Sequence, residues 1–222
     1  MTNMERPKVI FVDAVGTLFG VKGSVGKVYS QIAQEFGVEV APEIVDKAFI
    51  QSFKASPPPI FPNADIEDIP QREFEWWRKI ALNTFETAGV IQQFSDFSSF
   101  FGELYIHFGT AEPWVIYPDV VQSLSNWQHI GIELGVLSNF DSRLYSVLQG
   151  LGLSHYFSSV TISSQVGAAK PDPKIFAVAL EKHHCSPDEA WHIGDSIEED
   201  YQGAKAAGLR GVWINREVDS NW

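Results

Sequence analysis

The 222 residues are 45% hydrophobic and 20% charged, which suits one large domain or a core carrying an insert and excludes an intrinsically disordered chain. Asp and Glu outnumber Lys and Arg by 28 to 16, a formal charge of −12 with no basic run, which excludes the basic face a nucleic-acid binder needs. An anionic ligand then requires a cation or a local positive pocket to offset the field of the chain.

In chain order, the first element is KVIFV (8–12), a short apolar run of the kind a buried parallel strand shows. Four amphipathic helices are predicted next. Ser24 opens one that places Val25, Val28, Tyr29, Ile32 and Phe36 inward, and Gly37 closes it. Others fit 42–53, 71–88 and 95–107, and the Pro-rich acidic link 56–70 reads as a turn-filled connector. Strand and helix then alternate. Residues 119–130 put Val120, Val121, Leu124 and Trp127 on one face, ahead of the strand IELGVL (132–137). Asp141 is expected to cap a helix burying Leu144, Val147, Leu148 and Leu151, which Gly152 ends. SSVTI (158–162), a helix started by Asp172–Pro173, AWHI (190–193) and GVWI (211–214) complete the series. The prediction is an α/β fold, a doubly wound parallel sheet over 1–20 and 116–222, with a helical insert over 21–115.

What ends each strand is informative. KVIFV runs into Asp13, IELGVL into Ser138–Asn139, SSVTI into a loop with Lys170, and AWHI into Gly194–Asp195 with Asp200 beyond. A parallel sheet brings all carboxyl ends to one edge, where such folds place ligands. A single Asp after a strand is ordinarily a helix cap. Several strand ends carrying carboxylates, a hydroxyl and an ammonium form a more specific set. Gathered carboxylates repel unless a divalent cation sits among them, and oxygen-only ligands suit Mg²⁺. A phosphate beside that metal would be balanced by Lys170 and Ser138, leaving Asp13 as a carboxylate nucleophile. Gly16 and Thr17 supply a tight turn that lets the backbone approach the substrate.

These motifs, FVDAVGTL, VLSNF, KPDPKIF and HIGDSIEEDYQGAKAAG, resemble the haloacid dehalogenase-like (HAD) hydrolase superfamily across the whole chain. FPNADIEDIPQREFEWWRKI, LSNFDSRL and the fourth motif resemble, more narrowly, its HAD-like hydrolase domain-containing protein 3 subgroup. The resemblance implies a Rossmann-like core whose helical insert is a cap over the site. It implies Asp13 as nucleophile and Mg²⁺ ligand, the Val15 carbonyl and Asp195 as further ligands, and Ser138 on the phosphoryl group. Lys170 offsets charge, Asp200 orients Lys170 or metal-bound water, and Thr17 and Asn139 stand at the substrate. The implied partner is a small phosphorylated molecule.

Val15 is a departure. Phosphatases of this superfamily carry a second Asp there as general acid, and valine donates no proton. General acid catalysis is typically worth about 10²–10⁴-fold. Three readings follow. One is a phosphohydrolase for acyl phosphates, anhydrides or aryl esters. Another is a non-catalytic or regulatory binding protein. The third is a 2-haloacid dehalogenase, against which the acidic cluster counts. A phosphonatase would need a cap lysine such as Lys22 or Lys27, positions that a solvated helix face explains as well. His192 reads as a core histidine, and His183–His184–Cys185 as a helix end. Trp76 and Trp77 read as insert core, with lining of the site as the other assignment. The lone Cys185 excludes an internal disulfide. No run approaches the roughly 18–20 apolar residues of a membrane span, and MTNMERPK carries no apolar leader. A cytoplasmic monomer without membrane or nucleic-acid partners is the expectation.

Overall fold

A computed structural model describes residues 6–216; the outermost parts of the expected core segments, 1–5 and 217–222, lie outside them. Strand β1 (Val9–Val12) is the centre of a five-stranded sheet, all parallel, flanked by β4 (Glu133–Ser138) and β6 (Ala190–Gly194). Beyond these lie β5 (Ser159–Ile162) and β7 (Arg210–Trp213), giving the order β5-β4-β1-β6-β7. Val12 sits opposite Val136 on one side and Ile193 on the other. Asp13 therefore emerges between Ser138 and the Gly194–Asp195 turn. The chain reverses its direction of travel across the sheet here, which is where open α/β sheets place ligands.

Strand alternation assigns the two sheet faces. Ile10 and Val12 pack with Leu134 and Val136 against α5 (Val120–His129) and α6 (Leu144–Gly150). Val9 and Phe11 face the other way, onto Ile175, Phe176 and Ala179 of α8 (Pro173–Lys182). Asp172 caps α8 by accepting from the Lys174 N–H. Val121 departs from expectation. It is 46% exposed, because α5 docks through Val120 and Leu124 and turns Val121 about one residue step away.

Helices α1 (Val25–Glu35), α2 (Pro42–Ala55), α3 (Ile69–Thr87) and α4 (Phe97–His107) lie between β1 and β4 and share a second core. Tyr29, Phe85, Phe100 and Phe101 fill it, each fully buried aromatic contributing about 1.5–3 kcal/mol. Ser24 caps α1 as expected, accepting from the Lys27 N–H at 3.1 Å. Its hydroxyl also donates to Asp46, whose other oxygen accepts the Gly26 N–H, both at 2.6 Å. A Cβ on Gly26 would drive into α2, so the α1–α2 crossing depends on that glycine.

One element is absent from the sequence reading. β2 (Phe19–Val21) pairs antiparallel with β3 (Trp114–Ile116), Phe19 opposite Ile116 and Val21 opposite Trp114. This two-stranded ribbon joins the four helices to the sheet, and the expected insert boundaries at 21 and 115 fall inside it. Among the described residues no helix is long and apolar enough to cross a membrane.

Candidate active site

The turn after β1 is tight. The Leu18 N–H bonds to the Ala14 carbonyl at 2.8 Å and the Gly16 N–H to the Phe19 carbonyl at 2.9 Å. Gly16 has φ +88°, and a Cβ there would collide with the Asp195 carboxylate. Only glycine lets the β1 turn and the β6 turn approach this closely.

Lys170 reaches the same point from the loop after α7 (Ser163–Val166). Its buried ammonium donates to Asp13 Oδ1 at 2.6 Å and to Asp200 Oδ1 at 2.5 Å. Burial works against a charged lysine, but the two carboxylates prevail and raise its pKa above the ordinary range. Asn139 grips the backbone of that lysine at two points. Its Oδ1 accepts the Lys170 N–H at 2.7 Å, and its Nδ2 donates to the Lys170 carbonyl at 3.0 Å and to Glu199 at 3.0 Å. The amide is thus engaged in placing Lys170.

Asp200 stands on a turn of π-helix, Ile197–Gln202. Such turns recur at functional sites because they re-aim one side chain. Asp200 Oδ2 accepts the Ser196 N–H at 2.9 Å, and Gly194 leaves the space its carboxylate fills. Burial opposes ionisation of Asp200, yet Lys170 and His192 hold its carboxyl well below the usual carboxylate range. His192 is buried in β6 with its Nε2 2.8 Å from Asp200 Oδ1. Burial lowers the His192 pKa. The ring is therefore neutral, and because a carboxylate only accepts, Nε2 carries the proton. Its Nδ1 has no partner among the described residues. The sequence placed His192 in the core; its attachment to this row of charges could not be read, since Asp200 reaches it only through the π-turn.

Asp195 is the open member. Its backbone carbonyl accepts from the Trp213 indole at 2.9 Å, and its carboxylate meets Thr17 Oγ1 only at 3.4 Å. Partial desolvation first, then repulsion from Asp13 and Asp200, raises its carboxyl to about 6. Asp13, Asp195 and Asp200 each offer an oxygen within 4.8 Å of the others. One ammonium is paired with two of these carboxylates, and among the described residues none is paired with the third. An all-oxygen donor set with uncompensated negative charge fits a hard divalent cation such as Mg²⁺. Ser138 is buried at the end of β4, and Thr17 is buried with its carbonyl taken by Arg216 at 2.7 Å.

The loop after β4 also grips the helices. The Asp141 side chain is not the helix cap expected of it: the N-cap position of α6 is Arg143 and takes no side-chain cap bond, and Asp141 Oδ1 accepts the Arg143 N–H at 3.0 Å just ahead of the helix. The Asp141 carboxylate also accepts the Trp77 indole N–H at 2.6 Å and a bidentate Arg143 guanidinium at 2.9 and 2.7 Å. Glu73, buried on α3, accepts both the backbone N–H of Ser142, at 3.0 Å, and its hydroxyl. Trp76 and Trp77 line a cavity beside Val15, and Trp77 also packs against the core of the helices, as expected of these aromatics.

The family model for haloacid dehalogenase-like hydrolases matches residues 7–208. Haloacid dehalogenase-like hydrolase domain-containing protein 3 of Mus musculus is 34% identical over 215 residues, 96% of this chain and 84% of that protein. A phosphoserine phosphatase of Thermus thermophilus is 40% identical over 102 residues, 46% of this chain and 41% of its own length. Among solved structures, a HAD phosphatase from Thermococcus onnurineus superposes with a TM-score of 0.61 at 25% identity, covering 97% of this chain and 89% of that one. The chain belongs to the haloacid dehalogenase-like hydrolase family.

Proposed function

We propose that the protein is a Mg²⁺-dependent phosphohydrolase acting through an aspartyl-phosphate on Asp13, for substrates whose leaving group departs without a proton. The observation that carries this reading is the unequal balance of charge: Lys170 is shared by Asp13 and Asp200 while Asp195 is paired with no cation among the described residues. Asp13, Asp195 and the Val15 carbonyl would hold Mg²⁺, which supplies Lewis-acid stabilisation of phosphoryl oxygens. Asp200 has both oxygens engaged and positions Lys170. Ser138 would bind a phosphoryl oxygen, Thr17 lines the turn the phosphoryl group approaches, and Asn139 fixes the lysine.

Asp13 attacks phosphorus, the P–O bond to the leaving group breaks, and that oxygen departs with the electron pair as an anion. Water then attacks the aspartyl-phosphate, and both its protons leave on inorganic phosphate as the Asp13 carboxylate is restored. No side chain at Val15 protonates the departing oxygen, so acyl phosphates and aryl esters are favoured over alkyl esters. The phosphatases among the similar proteins support the same chemistry. The helices of 21–115 would act as a lid that excludes water.

A panel of acetyl phosphate, phenyl phosphate, an alkyl phosphate and a 2-haloacid tests this, with and without Mg²⁺. Phosphate release from the first two, Mg²⁺-dependent and lost in Asp13→Asn, is the expected result. Halide release without Mg²⁺ would establish a dehalogenase. Mg²⁺ binding with no release from any compound would leave a binding protein.

A further inference from the structure

Between the sheet edge and the four helices lies a cavity of about 290 Å³. Val15, Asn139 and Phe140 wall it from the core, and Tyr29, Phe49 and Trp77 are among the aromatic rings that wall it from the helices. The one cation among its described lining residues is spent. The Arg143 guanidinium is neutralised by buried Asp141, donates to the Tyr105 carbonyl at 3.1 Å, and lies over the Tyr105 ring, 3.9 Å from its centroid. The interior is thus uncharged in sum and aromatic in character.

We propose that this cavity receives an aromatic group without charged substituents, of about two fused rings, carried by a phosphomonoester whose phosphoryl group sits at Asp13. The proposal rests on the phosphohydrolase reading above and names the substrate class for the same site. Three observations converge on it. Val15 lies two residues after Asp13 and Asn139 directly follows Ser138, so a group attached to the phosphoryl oxygen enters the cavity at its core wall. An apolar cavity of about 150 Å³ accepts one benzene ring, and this one has roughly twice that volume. A phenolic oxygen has a pKa of about 10, so it leaves as an anion far more readily than an alkoxide. That is the leaving group a site with Val15 in place of an acid can expel.

The test separates the cavity from the chemistry. Binding of 2-naphthol, which carries no phosphate, is followed by quenching of tryptophan fluorescence. Hydrolysis of 2-naphthyl phosphate, phenyl phosphate and acetyl phosphate is followed by phosphate release with Mg²⁺. The first two have leaving groups of similar acidity, so their kcat/KM ratio reads the second ring. Saturable naphthol binding and a naphthyl-to-phenyl ratio of at least about tenfold are expected, on the scale of discrimination a hydrophobic pocket gives. Val25 lines the cavity. Val25→Trp fills it and should weaken naphthol binding and bring the ratio towards one; if that variant does not fold, the wild-type binding and ratio decide. A ratio near one with no naphthol binding, while acetyl phosphate is still hydrolysed, overturns the cavity assignment and leaves the phosphohydrolase intact. Naphthol binding with no phosphate release from any of the three overturns the proposal through its parent reading.

Discussion

Replacing Asp195 with Asn should stabilise the metal-free protein while abolishing its response to Mg²⁺. The Asp195 carboxyl is raised from 3.8 to about 6 by partial desolvation and by Asp13 and Asp200. At 1.36 kcal/mol per pKa unit the full shift corresponds to about 3 kcal/mol, which solvent screening of this open carboxylate reduces to about 1 kcal/mol. The sign follows from proton linkage. Between pH 4 and 6 the folded state holds the Asp195 proton more tightly than the unfolded chain, so wild-type stability falls across that window as pH rises. Above pH 6 the full cost is present. Asn carries no such cost, so in EDTA at pH 7.5 the variant should melt about 2–4 °C higher, and near pH 4 the two should coincide. Saturating Mg²⁺ reverses the order. At 100 times Kd a ligand stabilises by about 2.7 kcal/mol, which lifts wild-type Tm by roughly 5–10 °C and the variant hardly at all. Thermal unfolding followed by circular dichroism, with EDTA or Mg²⁺ at both pH values, measures all eight points. An Asn variant that melts lower in EDTA, or an equal Mg²⁺ shift in both proteins, refutes the reasoning.

Val15→Asp should raise hydrolysis of an alkyl phosphate by about 10²–10⁴-fold and that of an aryl phosphate far less; Val15→Asn matching it on both substrates would dismiss the missing-acid account. Lys170→Met leaves two buried carboxylates without their cation and should cost about 3–5 kcal/mol in urea unfolding at pH 7. Because Lys170 holds the Asp200 carboxyl low, that loss should shrink as pH falls and the carboxylates take up protons; an unchanged loss at pH 4.5 would contradict the ion-pair geometry. Trp77→Phe removes the indole donor to Asp141, a bond to a charged group worth about 1.5–3 kcal/mol, and should speed amide hydrogen exchange across 139–143, with unchanged exchange showing that the helices are held otherwise.

The sheet strands were legible as short apolar runs: β1, VIFV, is buried along its whole length, and even the partly exposed edge strand β7 keeps a Val–Trp pair. Which strand ends carry Asp13, Ser138 and Asp195 then follows from the parallel arrangement alone. The β2–β3 ribbon was not legible. Its strands are three residues each, and Val21 finds Trp114 far along the chain, a pairing that no local pattern encodes. The same holds for Asp141, whose place in the sequence suggests a cap but whose oxygens are taken by Trp77 from α3 and by Arg143. The assignment of Asp200 came from resemblance. Its physical basis, the π-turn and the space above Gly194, is visible only in three dimensions.

The ribbon has a consequence for how the chain can vary. Its strands lie about 4.8 Å apart, and the Lys22 N–H still bonds to the Pro113 carbonyl beyond the last paired residues. The two ends of everything between them are therefore held together at the ribbon. For the sheet, that stretch is a loop whose closure entropy is met at the stalk, and loop length adds to that entropy only logarithmically. Residues 23–112 can lengthen, shorten or be exchanged for another fold without moving β1 against β4. Asp13, Ser138 and Asp195 stay in register on one edge while the helices facing them are free to vary.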